Sequence, residues 1–405
     1  MSDLFWPGDE RAGDAMSETA LLQAMVRVEA AWLATLADAG IAETTADLGG
    51  LVGEADVPAI AADAESAANP VLPLLALIRE RLGVRDEQAA SWLHRGLTSQ
   101  DTLDTAIVLC LRDVGTVVRR ELEHQVGALV DLTERHRNDV MAGRTLGRHA
   151  VPVTFGLKSA GWLQGVLDAV DDIAATERLP AQLGGAAGTL AASTALASDA
   201  GLGDAARSAQ GLAMQCASRL GLAARPPWHT NRAPITRVGD ALVGCTDAWG
   251  HIANDVLSLS RPEVGEVTEP AGRGASSTMP HKQNPVLSTL IRRAALAAPT
   301  DAARLHLAAA DTHDERPTGG WHLEWATLRS LARHAVTASS QTTELLTGLH
   351  VDAARMRTNA EGAADALLSE RDAFSSKTGP VDSYLGATDL VIGAALDRAR
   401  RMQTR

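Results

Sequence analysis

The sequence predicts an all-α protein, and three observations carry that prediction. Apolar residues recur at spacings of three and four over segments of twenty residues and more, the repeat of one helix face. Short alternating runs of β-branched and aromatic residues, which mark strands, are almost absent. Aromatic residues make up only 3% of the chain. The core is therefore expected to be Ala, Leu and Val, which suits long helices packed closely through small side chains.

The first periodic run follows Asp14, with Leu21, Leu22, Met25, Val28, Trp32, Leu33 and Leu36 on one face and Gly40 as a C-terminal cap. The second starts near Thr98 and carries Leu103, Ile107, Leu111, Val114, Val118 and Leu122 towards Arg135. Further helices are expected over about 154–177, 203–221, 235–260, 285–310 and 320–347. Several are about twice the usual helix length and would span 30 Å or more. Such helices cannot bury every apolar face within one thin protomer. Oligomerisation through the bundle is expected, and a monomeric sedimentation profile at micromolar concentration would contradict it.

Composition narrows the function. The 405 residues are 45% hydrophobic and 21% charged, an ordinary globular balance with a net charge of −13. An acidic chain is a poor coat for nucleic acid and has no general attraction to an anionic membrane, yet a local basic pocket can still take an anionic substrate. Cys110, Cys216 and Cys245 are far apart, with no paired motif, and read as buried thiols in a reducing compartment. Neither a signal peptide nor a run of 18 apolar residues is seen, so a cytoplasmic protein is expected. Of 37 basic residues only Lys158, Lys282 and Lys377 are lysine, a bias that coding composition explains.

The breaks between helices hold the chemistry. They are HRGLTSQD (94–101), GRTLGRHAVP (143–152), LPAQLGGAAGT (179–189), RPPWHTNRAP (225–234), a long non-periodic stretch (261–285) and DTHDERPTGGW (311–321). No phosphate-binding glycine loop, dinucleotide fingerprint, HExxH or nucleophile elbow is present. His313, Asp314 and Glu315 read as a solvated loop, not a metal site. In GRGASSTMPHKQNP (272–285) a Gly-rich turn presents Ser276 and Ser277, followed by Met279, Lys282 and Asn284. A free serine hydroxyl is too weak an acid or base to work unaided. Successive backbone N–H groups and a nearby ammonium can supply the missing stabilisation.

This string closely resembles the signature of the fumarase/aspartase superfamily, GSSxMPxKxNP, with Ala275 in place of the signature glycine. HRGLTSQDTLDTA and GRTLGRHAVPVTFGLK resemble the superfamily's first and second conserved regions, in the same order, so the likeness covers about 90–330. It implies a three-domain, all-α fold with a long central bundle, divided here at 1–97, 98–347 (with the loop 261–285) and 348–405. It also implies a homotetramer whose active sites are shared between subunits, a small polycarboxylate substrate and no cofactor. Ser276 is then the catalytic serine, with Lys282 and Asn284 as its electrostatic supports; His149, three residues after Leu146, is a further candidate for proton handling or for a supporting role. The substrate-binding set is His94, Thr98, Ser99, Arg144, Thr145, Gln182, Arg232, Ser277 and Met279. Arg148 and Arg273 are further candidate cations, Glu266 an orienting group, and His281 a loop-packing residue.

Lyases of the superfamily read GRTH in the second region, whereas this chain has Leu146. An apolar side chain carries no proton. The reaction then needs no proton transfer at that end, or the protein is inactive. An already ionised carboxylate attacking within the same substrate fits the first case. That points to the superfamily's cycloisomerases, which close a carboxymuconate to a lactone and which resemble this chain again at 182–189, 227–232, 313–325 and 349–359. Their bacterial members carry Trp at the Leu146 position. A fumarate-releasing lyase and a catalytically reduced scaffold remain the alternatives. The region after about 350 is short for the family, and SERDAFSSKTGP (369–380) has little helical pattern, which puts the cover of the site in question.

Overall fold

The structure is a computed structural model that describes residues 3–279 and 282–403. Pro280 and His281 therefore lie outside the described residues. The expected long helices form as α1 (Glu18–Asp38), α5 (Ser99–Arg135), α6 (Phe155–Ile173), α8 (Ala205–Arg219), α9 (Ala233–Leu259), α10 (Val286–Ala310) and α11 (Gly320–Gly348). Between them come α2 (Val57–Ala67), α3 (Val71–Gly83), α4 (Glu87–Trp92) and α7 (Ala191–Asp199), and after them α12 (Ala353–Gly362), α13 (Ala364–Phe374) and α14 (Thr388–Gln403).

Local chemistry sets the ends. The Ser17 hydroxyl accepts from the Ala20 N–H to start α1, and the chain leaves that helix through Gly40 at φ +70°. Thr98 and Asp101 form a capping box at the start of α5. By mean hydropathy and length α1 could cross a membrane. Here it is a core helix: Val28, Trp32, Leu33 and Leu36 are buried in the main apolar cluster.

The central bundle comprises α5, α6, α9, α10 and α11. Its core is Leu, Val and Ala with a few fully buried aromatics, among them Trp162, Trp249 and Phe155. All three cysteines are buried and unpaired, and burial pushes each thiol well above its ordinary range.

Two features differ from the sequence reading. A β-hairpin, β1 (Val140–Thr145) with β2 (Arg148–Thr154), occupies the second motif. The tail is also more helical than its pattern suggested, because α13 runs through Phe374 and only 375–380 is irregular before the last elements. Leu367, Leu368 and Val381 of this tail pack on Val140 and Ala142 of β1. The tail thus braces the hairpin from behind.

Candidate active site

The first motif is held at the N-terminal end of α5 by buried carboxylates. His94, in a left-handed backbone conformation, is fixed through Nδ1 to Glu29 of α1 at 2.8 Å. The same Glu29 oxygen accepts from the Thr102 hydroxyl at 2.7 Å. The Thr98 N–H donates to Asp101, and its hydroxyl accepts from Arg316. Ser99, half-buried, is the first residue of α5. Asp101 also accepts from the N–H groups of Gly184 (2.9 Å) and Gly185 (2.8 Å). One buried carboxylate therefore joins the first motif to the QLGG loop.

Two expected substrate ligands are spent on this framework. Gln182 is fully buried. Its amide nitrogen donates to Asp101 and its carbonyl accepts from the Trp228 N–H at 2.6 Å. Arg232 is equally enclosed between Asp104 (2.7 and 3.1 Å) and Glu324 (2.5 to 3.2 Å). Trp321 Nε1 completes the cluster by donating to Asp104 at 2.8 Å. Burial alone would lower the Arg232 guanidinium, but the two carboxylates hold it above its ordinary range. Within this chain Arg232 ties α5, α9 and α11 together. Its charge is compensated and no face of it is open to a ligand.

The second motif is the hairpin. Its strands are joined by a two-residue turn, Leu146–Gly147, between the paired residues Thr145 and Arg148. Leu146 has φ +49° and Gly147 +74°, the geometry of a turn that favours Asn-Gly. Leu146 is fully exposed, at 103%. Neither turn chemistry nor packing within the protomer calls for leucine there. Thr145, Arg148 and His149 are exposed around it, and His149 sits opposite Arg144 in the register. Arg144 makes two hydrogen bonds to Glu266, at 2.8 and 3.0 Å. Asn359 of α12 donates to the same carboxylate at 2.8 Å. Glu266 is fully buried and so links the hairpin, the serine loop and the tail.

The third motif is a loop closed at its neck. The Gly274 carbonyl accepts from both the N–H and the side-chain amide of Asn284, each at 2.9 Å. Gly274 is at φ +75°, and a Cβ there would fall 2.1 Å from the Asn284 oxygen, so only glycine fits. Beyond the neck Ala275 pairs with Gln283. Ser276 is half-buried and its hydroxyl accepts from the Met279 N–H at 3.1 Å. Ser277, Met279 and Lys282 are exposed. Arg273 pairs with Glu344 near the end of α11, which also holds Arg11.

The hairpin and the serine loop meet through Glu266, but the first motif lies elsewhere. It caps one end of α5, and 37 residues separate it from the other end, about 55 Å. The serine loop touches α11 at Glu344, 23 residues beyond the Trp321 that contacts Asp104, about 35 Å along the helix. Sequence reasoning missed Asp101, Asp104, Glu324 and Glu29, which set the geometry of the first motif. Arg316, on the Thr98 hydroxyl, is a further such residue, although it lies in the 313–325 segment that resembles the superfamily.

A helical bundle carrying these three loops is the architecture of a lyase of the fumarase/aspartase type. The family model described as lyase matches residues 19–299, and the chain belongs to that family within the fumarase/aspartase superfamily. It is 46% identical over 366 residues to a nitrosuccinate lyase of Streptomyces davaonensis, covering 88% of this chain and 76% of that one. It is 37% identical over 352 residues to a 3-carboxy-cis,cis-muconate cycloisomerase of Pseudomonas aeruginosa, covering 85% and 74%. The crystal structure of 3-carboxy-cis,cis-muconate lactonizing enzyme from Pseudomonas putida superposes with a TM-score of 0.81 at 28% identity, covering 97% of each chain.

Proposed function

We propose that this chain is an enzyme that eliminates an anionic leaving group from a substituted succinate, with nitrosuccinate as the substrate and nitrite and fumarate as products. The observation that carries this reading is Leu146, an apolar residue at the hairpin tip where the superfamily's lyases place a proton-carrying histidine. Nitrite is a weak base and departs as an anion, so the leaving-group end needs no acid. At the other carbon Ser276, as its alkoxide, takes the proton and becomes the neutral hydroxyl, the C–H electrons form the double bond, and the C–N bond breaks with its electron pair leaving on nitrite. The Met279 N–H directed at the serine oxygen stabilises negative charge there. Lys282, six residues on, neutralises a substrate carboxylate. Arg144, held by Glu266, and Arg316, on Thr98, lie at the two motifs that bind the rest. The greater identity to the nitrosuccinate lyase than to the cycloisomerase supports this order of preference.

Lactone closure of 3-carboxy-cis,cis-muconate is the second reading. It is favoured by the same leucine, because an internal carboxylate nucleophile also needs no proton handling, and by the fold likeness to the lactonizing enzyme. Both reactions would use a site shared between subunits of a cytoplasmic homotetramer, a reading supported by the separation of the first motif from the serine loop within one chain.

The test is to supply nitrosuccinate and measure nitrite and fumarate, with 3-carboxy-cis,cis-muconate followed in parallel by loss of diene absorbance. Nitrite release supports the first reading. Turnover of the muconate alone replaces it with the second. Fumarate release from adenylosuccinate, with neither of the others, sinks both. Ser276→Ala is expected to remove nearly all turnover, on the order of a thousandfold or more, and to leave the sedimentation profile unchanged.

A further inference from the structure

We propose that Glu269 is the latch that positions the catalytic loop, by capping α10 with its carboxylate. Its Oε2 accepts from the Leu287 N–H at 2.9 Å and its Oε1 from the Ser288 N–H at 2.7 Å. These are first-turn amides of α10, which the helix itself leaves without partners. Helix capping normally comes from the residue just before the helix. Here the cap comes from 18 and 19 residues upstream, across the whole segment that carries Ser276, Lys282 and Asn284.

The backbone beside Glu269 is anchored independently. Val267 and Thr268 form β3, paired with β4 (His350–Val351) beyond the end of α11. Pro270 packs so closely on Gly348 that a Cβ there would fall 2.4 Å from the ring. The N-terminal end of the loop is thereby fixed to α11, and the Glu269 carboxylate ties that same end to α10, the helix into which the loop's other end runs. A cavity of about 280 Å³, lined by Thr268, Glu269, Arg273, Gln283 and Asn284, lies at the loop's base. Packing therefore does not fill that space, and the carboxylate bridge spans it. The two hydrogen bonds are charge-assisted and lie on the positive end of the helix dipole, where a carboxylate is most effective.

The inference rests on the reading of this loop as catalytic, and its test separates the two. Glu269→Ala is compared with Glu269→Gln, which keeps one acceptor, by hydrogen exchange of the amides at 270–288 without substrate and by steady-state turnover. In the Ala variant the loop amides should exchange faster and kcat should fall roughly tenfold, about the effect of a lost charged cap, with KM changed less. The Gln variant should lie between. Added acetate, a carboxylate that can occupy the vacated helix end, should restore part of kcat in the Ala variant, and chloride should not. Wild-type exchange rates in Glu269→Ala would overturn the latch, as would a kcat loss that neither Gln nor acetate relieves. Faster exchange with unchanged kcat would keep the latch and count against the catalytic assignment of the loop.

Discussion

At the scale of single residues, the site divides into groups that sequence reveals and groups that only the fold reveals. Ser276, Lys282 and Asn284 lie within one short string, so their association needs no tertiary information. Arg232 shows the opposite case. A cation that binds substrate and a cation that holds helices together look alike in sequence, and the partners that decide between them, Asp104 and Glu324, lie 128 and 92 residues away. The buried cluster also sets a prediction. Arg232→Ala leaves two carboxylates enclosed without a counter-charge, a change that costs about 3–5 kcal/mol. Burial already raises Glu324 above its usual range against the pull of Arg232, so removing the arginine should drive protons into the cluster. A lower thermal midpoint and loss of assembly are expected. Wild-type stability together with a raised KM would return Arg232 to the substrate.

At the scale of elements, the long helices were legible and the hairpin was not, for definite reasons. A helix such as α5 repeats its apolar face through some ten turns, so the period stands out above noise. The short helices α2, α3 and α7 give two to four turns each and carry a fainter version of the same signal. In the hairpin the register is irregular between Ala142 and Arg144, which breaks the two-residue alternation, and the turn is Leu-Gly where a hairpin normally announces itself with Asn-Gly. Leu146 is thus unfavourable for its own element. A left-handed backbone costs an L-residue roughly 1–2 kcal/mol, and this leucine recovers nothing by packing within the protomer. Leu146→Asn should therefore stabilise the hairpin by up to about 1 kcal/mol and slow turnover, because it replaces the apolar wall at the leaving group with a polar, hydrated one. A variant as active as the wild type would end that role for Leu146. A variant with no gain in stability would end the strain argument.

At the scale of the whole molecule, the distances within a protomer require a second copy for the chemistry proposed. Thr98, Ser99 and His94 cap one end of the bundle, while Ser276 and Leu146 belong to loops at the other. No hinge in a continuous helix of 37 residues brings them together. The outward face of α10 points the same way: Leu296 and Leu307 are each 67% exposed, on a helix otherwise packed on α9 and α11. Apolar side chains on the open face of a long helix are what a helical assembly covers. A site whose motifs come from different chains makes a distinct genetic prediction. His94→Ala and Ser276→Ala are each expected to be nearly inactive as homo-oligomers. When the two inactive variants are co-expressed, or mixed after reversible dissociation, some sites draw an intact first motif from the Ser276→Ala chain and an intact serine loop from the His94→Ala chain. For random mixing of equal amounts, with one motif from each of two chains, about a quarter of the sites are wholly wild type. Activity should then recover to roughly a quarter of the wild-type level, whereas two variants in the same motif, such as Ser276→Ala with Lys282→Ala, should recover none. If the His94 and Ser276 variants also fail to complement one another in assemblies shown to be mixed, the site is contained in a single chain. The placement of the first motif in it would then be wrong.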